Sequence, residues 1–125
     1  NQISLQFHNR VAYHDFEGIA LDLEERDRIV ADFGDQPVMI LRNHGLIATG
    51  RSAAEMFSNM FYLERACEIQ VAATSTGLPL RPVAEDIAAR VHGQYVQMNE
   101  EDGDLALEWD AHLRSIEGLG TDYRG

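Results

Sequence analysis

Cysteine is almost absent from this chain. The 125 residues contain one, Cys67, so no internal disulfide can form. A lone thiol fits a reducing compartment, and the cytoplasm is the expected location. Basic residues are also scarce: ten stand against 21 Asp and Glu, giving a net charge of −11. They are scattered and form no run. Phosphate binding relies on clustered cations, so nucleic acid is not expected as a partner. No apolar stretch approaches the roughly 20 residues that span a bilayer, and nothing resembles a signal peptide. Internal repeats and low-complexity tracts are missing. Among the five histidines (8, 14, 44, 92 and 112) no pair has His-x-His, His-x-x-x-His or HExxH spacing, so no complete metal site is legible. There is no GxSxG and no Ser-His-Asp order, and Gly45 and Gly50 do not make a phosphate loop. A serine hydrolase and a nucleotide-binding protein therefore have nothing to stand on.

What is present is the make-up of one ordinary globular domain, 45% hydrophobic and 25% charged. Its organising stretch is Val38 to Gly50. Four consecutive apolar residues, Val38-Met39-Ile40-Leu41, suit a strand covered on both faces. A polar joint, Arg42-Asn43-His44-Gly45, carries the residues that most easily make a tight reversal. Leu46-Ile47-Ala48 then predicts a second strand ending at Thr49-Gly50.

Upstream, Ile3, Leu5 and Phe7 alternate, as a short strand or the end of a helix would. Val11-Ala12-Tyr13 is a short extended candidate, followed by a loop through His14, Asp15 and Gly18. Asp22 and Glu25 have capping-box spacing, Ile29, Val30 and Phe33 predict the apolar stripe of a helix, and Gly34 ends it. Downstream, Ser52 and Glu55 form a full capping box. Met56, Met60, Leu63 and Cys67, widened by Phe57 and Phe61, predict a long amphipathic helix fading at Thr74 to Gly77. Val83, Ile87, Val91 and Tyr95 mark another helix with Pro82 near its first turn. A loop from Asn99 to Gly103 precedes a last helix carrying Leu105, Trp109, Leu113 and Ile116. The tail from Gly118 to Gly125 has no period. An α/β half is thus followed by a helical half, neither large enough to fold alone, and residues 1–125 are expected to form one domain.

His44 sits in a glycine-containing turn between two buried strands, held on a stiff base at the edge of a sheet. Such a histidine is either a ligand or catalytic group, or a turn residue bonded to backbone. His92 and His112 fall beside apolar stripes as partly buried structural residues. His8 and His14 fit either class. Cys67 is expected to act as a small hydrophobe. Asp15 and Glu17, near His14, are a weak cation signal. Glu100-Glu101-Asp102 is most simply a solvated loop. Arg42 is placed to fork onto a phosphate or carboxylate, or to salt-bridge a neighbouring element.

Leu41-Arg42-Asn43-His44-Gly45-Leu46-Ile47-Ala48-Thr49-Gly50, then Glu55, then Leu63-Glu64-Arg65-Ala66-Cys67-Glu68-Ile69-Gln70, resembles the class II aldolase/adducin family. Val11-Ala12-Tyr13-His14-Asp15-Phe16-Glu17-Gly18 resembles the branch holding adducin heads and their bacterial relatives. The resemblance covers nearly the whole chain and weakens after about Gly77. It implies an α/β, three-layer α/β/α fold with a mostly antiparallel central sheet, here a partial domain followed by C-terminal helices. It also implies a divalent metal, zinc above all, held by three histidines. His44 inherits one of those positions. The other two, a His-x-His strand, and the acid/base carboxylate belong to elements that precede Asn1, so residues 1–125 correspond to the C-terminal half of a longer polypeptide. His8 and His14 are not substitutes for them. Three imidazoles leave a tetrahedral ion one open position for substrate oxygens. The implied activity is a lyase or epimerase acting on a small sugar-phosphate-like substrate through an enediolate, in a homo-oligomer (a tetramer). The fragment alone is expected to be inactive. The other reading the resemblance allows is a non-catalytic, adducin-head-like interaction module.

Overall fold

The computed structural model describes residues 1–19, 23–100 and 103–117. Three strands form one sheet in the order β1 (Val11–His14), β2 (Val38–Leu41), β3 (Gly45–Ala48). β1 runs parallel to β2, with Val11 opposite Val38 and His14 opposite Leu41. A parallel neighbour requires a crossover, and α1 (Leu23–Phe33) provides it. β2 and β3 form an antiparallel hairpin in which Leu41 faces Gly45 and Val38 faces Ala48. The sheet of this segment is therefore mixed, its antiparallel part being the hairpin.

β2 is the centre of the molecule, as its unbroken apolar run predicts. Val38 and Met39 have no exposed surface at all. Successive strand residues point to opposite faces, so both faces of β2 are covered. On one of them Val38 packs with Phe7 and Leu63, and Val11, Leu46, Ala48 and Tyr62 close around that cluster. Leu63 comes from α2 (Ala53–Ser75), which lies against β2 and β3, while α1 lies against β1.

Ser52 begins α2 by accepting the backbone N–H of Glu55 at 3.2 Å. The Glu55 carboxylate does not return to the Ser52 backbone. It accepts the N–H of Arg51 at 2.7 Å, one residue earlier, so the expected box closes around a longer loop. α2 ends at Ser75, and Gly77 follows with a positive φ of 69°. α3 (Glu85–Glu100) and α4 (Asp104–Ile116) complete the helical half.

Several local expectations need correction. Ile3–Phe7 form a 3-10 helix, and only Phe7 of it is buried. His14 is the last residue of β1 rather than part of a loop, because the parallel ladder with β2 reaches Leu41. The inward side of α1 holds Glu25, whereas Val30 is 66% exposed. α1 packs chiefly on β1, a narrow contact that its stripe overshoots. The buried residues of α2 are Ser58, Leu63 and Ala66, while Met56 and Phe61 remain exposed. α3 starts three residues after Pro82 and runs through Asn99 and Glu100, which were expected in a loop. Asp22, Glu101, Asp102 and the tail from Gly118 lie outside the described residues.

Candidate functional site

The hairpin turn is built by three residues, Arg42 to His44. Asn43 takes the left-handed conformation, φ 58°, which Asn tolerates better than most residues. The His44 backbone N–H then closes on the Leu41 carbonyl at 3.1 Å. The turn is also fastened to β1, since the Arg42 N–H donates to the His14 carbonyl at 3.0 Å. The result presents the His44 side chain, exposed, from a rigid reversal between two strands. Its imidazole makes no hydrogen bond among the described residues.

Arg42 is committed elsewhere. Its Nη1 donates to Asp15 Oδ1 at 2.6 Å, and its guanidinium lies 5.0 Å from the centre of the Tyr13 ring. Asp15 is thus occupied by Arg42, and Glu17 by Arg28, whose Nε donates to both Glu17 oxygens at 3.0 Å. The expected weak cation pair of Asp15 and Glu17 is two separate salt bridges instead.

A small cleft of about 20 Å³ opens beside the turn, lined by His14, Glu25, Arg42 and His44 among others. His14 is the histidine that spacing did not place. Only 4% of it is exposed. Its Nδ1 lies 2.7 Å from Asp32 Oδ2 on α1. Its Nε2 lies 3.9 Å from Glu17 Oε1 and 3.9 Å from Glu25 Oε1, and is buried without a hydrogen-bond partner. The one sequence signal that points to it is its position at the end of the Val11-Ala12-Tyr13 run. Asp32 is 18 residues away on another element and has no signal.

The remaining histidines are structural. His92 lies with Nδ1 2.8 Å from the Gln6 carbonyl. His8 lies 3.0 Å from Glu85, and the His112 ring stacks obliquely on Phe57 at 4.7 Å. Burial and the nearby Glu64 push the Cys67 thiol up, away from the reactive thiolate, as a small hydrophobe requires. α2 and α4 are joined by Glu108, which accepts from Tyr62 Oη at 2.6 Å and from Ser58 Oγ at 3.2 Å. That bond, with burial and the Glu108 charge, pushes the Tyr62 phenol up to about 12. Among the described residues, no three His, Cys, Asp or Glu side chains are arranged to hold a metal ion, and no helix is long and apolar enough to cross a membrane.

Comparison with known proteins places this geometry in context. Residues 1–71 match the family model described as the Class II Aldolase and Adducin N-terminal domain. A Pseudomonas aeruginosa protein with a provisional class 2 aldolase name is 37% identical over 99% of this chain and 49% of its own length. Alpha-adducin of Rattus norvegicus is 50% identical over 49% of this chain and 8% of its own length. The crystal structure of an aldolase II superfamily protein from Pseudomonas syringae superposes with a TM-score of 0.85 and 46% identity, covering all of this chain and 50% of that one. The chain thus spans about half the length of these two bacterial relatives.

Proposed function

Because the chain belongs to the class II aldolase/adducin family, we propose that it is the His44-bearing part of a metal-dependent lyase or epimerase acting on a small sugar-phosphate-like substrate through an enediolate. The observation that carries this reading is the His44 imidazole, exposed on a rigid hairpin turn and free of hydrogen bonds among the described residues. A neutral imidazole is a good ligand for a divalent ion such as zinc. One residue cannot hold the ion, and the described residues contain no three-ligand group, so this reading requires further donors beyond the described residues. His44 would be one of the residues holding the cation, which when bound would supply Lewis-acid chemistry. The residues of this chain do the rest: the hairpin fixes the backbone from which the His44 ring projects, and the Arg42–Asp15 pair lies at the rim of the cleft. The cell compartment consistent with this role is the cytoplasm.

The test is cleavage of a panel of ketose 1-phosphates by the intact protein. Aldehyde release that a chelator abolishes and zinc restores supports the reading. A metal-loaded protein that cleaves none of them refutes it.

A second reading is a non-catalytic interaction module of the adducin type, or a homo-oligomeric enzyme using the same surface. It is favoured by an apolar strip on α2, where Phe57, Met60 and Phe61 flank a hollow and Phe61 is 39% exposed. Under this reading Phe61→Glu converts an oligomer to monomer in sedimentation without lowering thermal stability. An unchanged sedimentation coefficient excludes the strip as the contact.

A further inference from the structure

We propose that the cavity between the N-terminal 3-10 helix, α2 and α3 is a second binding site, which takes a small hydroxycarboxylate: Arg10 receives the carboxylate and His92 Nε2 accepts the hydroxyl. The inference does not rest on the lyase reading above.

The cavity has a volume of about 150 Å³. Its described walls come from residues 6–10, from Pro37 just before β2, from the first two turns of α2, and from α3 and Leu105. Pro37 stands at the start of β2 and the His44 turn at its end. The strand between them is about 13 Å long, at roughly 3.3 Å for each of its four residues, so this is not the cleft beside His44.

The local charge is opposite in sign to that of the chain, whose net charge is −11. Arg10 and Arg51 line the cavity against one carboxylate, Glu55. Arg51 and Glu55 neutralise each other, with Arg51 Nε donating to Glu55 Oε2 at 3.1 Å. Arg10 has no ion pair and no side-chain hydrogen bond among the described residues. Its guanidinium is a planar fork of N–H donors, the shape that a carboxylate matches.

One face of α3 supplies the other polar groups. His92, Tyr95, Val96 and Asn99 recur at helical spacing and all line the cavity. His92 Nδ1 lies 2.8 Å from the Gln6 carbonyl, which can only accept, so in the neutral ring Nδ1 carries the proton. That structural bond fixes the imidazole and leaves a lone pair on Nε2. The sealed polar atoms without a partner are His14 Nε2 and Gln36 Oε1 among the described residues. His92 Nε2 is not one of them, so a ligand hydroxyl can reach it. The Tyr95 hydroxyl and the Asn99 amide also make no hydrogen bond among the described residues, which leaves them free to bond the same ligand.

Phe7, 6% exposed, and Leu105 add apolar surface, enough for a short carbon body. An apolar cavity of about 150 Å³ in another protein takes up benzene, so about six non-hydrogen atoms fit, the size of lactate. A sugar phosphate is too large for this volume. A diol of lactate's size has nothing to offer Arg10.

The experiment is calorimetric titration of the intact protein with racemic lactate, with propionate, which lacks the hydroxyl, and with 1,2-propanediol, which lacks the charge. Lactate is expected to saturate one site per chain with a midpoint near about 1 mM. Each analogue should bind about tenfold more weakly, the scale of one lost charge-assisted or buried hydrogen bond. Arg10→Gln, at an exposed position, should weaken lactate at least about tenfold and leave propanediol unchanged. Lactate should also shift the His92 Nε2 resonance in the imidazole ¹⁵N spectrum. His44→Ala should keep its lactate affinity within about twofold, as expected of distant sites. No saturation by about 50 mM overturns the proposal, as does propionate or propanediol binding as tightly as lactate. Unchanged affinity in Arg10→Gln, or an unmoved His92 resonance, also overturns it. Loss of lactate binding in His44→Ala would assign the ligand to the His44 turn and refute a separate site, whereas failure of ketose cleavage leaves this outcome unaffected.

Discussion

Position 50 shows how tightly single residues are determined near the hairpin. A Cβ placed on Gly50 would lie 2.4 Å from the Met56 backbone nitrogen and 2.9 Å from the Glu55 carbonyl carbon. Both neighbours are fixed in the first turn of α2 and cannot yield as a flexible side chain would. Gly50→Ala is therefore expected to destabilise the protein by about 1–3 kcal/mol, measured by denaturant unfolding. An effect below experimental error would mean that the start of α2 is looser than described. Tyr62 gives a second residue-level expectation. Its phenol, raised above its ordinary value of 10.0 to about 12 by the bond to Glu108, is neutral in the folded state over a wider range than in the unfolded chain. Its contribution to stability is thus complete below pH 10 and is lost as pH climbs from about 10 to 12. Unfolding titrations across that window should show the decline, and Tyr62→Phe should flatten it.

At the scale of elements, the parts that could be foreseen are those whose pattern is local. The run Val38 to Leu41 and the cap at Ser52 follow from sequence because each signal is complete within a few residues. The amphipathic stripes gave the existence of α1 and α2 but not their buried sides. Which side is buried depends on the neighbour that a helix meets: α1 packs chiefly on β1, so Val30 is left in solvent while Glu25 turns inward toward His14. The turn that holds His44 was legible because its chemistry lies within a few residues of sequence. The His14–Asp32 pair was not, since strand and helix must first be docked to bring the two side chains together. The cap carries its own prediction. Ser52→Ala removes the acceptor of the Glu55 N–H and should cost about 1 kcal/mol, read as a lower denaturation midpoint with an unchanged slope. No change in midpoint would show that the Arg51–Glu55 contact alone holds the helix start.

For the molecule as a whole, a three-stranded sheet carries an exposed histidine, His44, in its hairpin turn and a buried one, His14, at the end of β1. The chain covers half of a superposable relative, and its proposed activity depends on ligands that its described residues do not contain. The most direct measurement is the metal content of the intact protein and of its His44→Ala variant after dialysis against a low-affinity chelator. The account predicts about one divalent ion per chain in the wild type and at least a tenfold weaker retention in the variant, as loss of a ligand implies. A wild type without stoichiometric metal, or a variant that keeps it in full, would contradict the account.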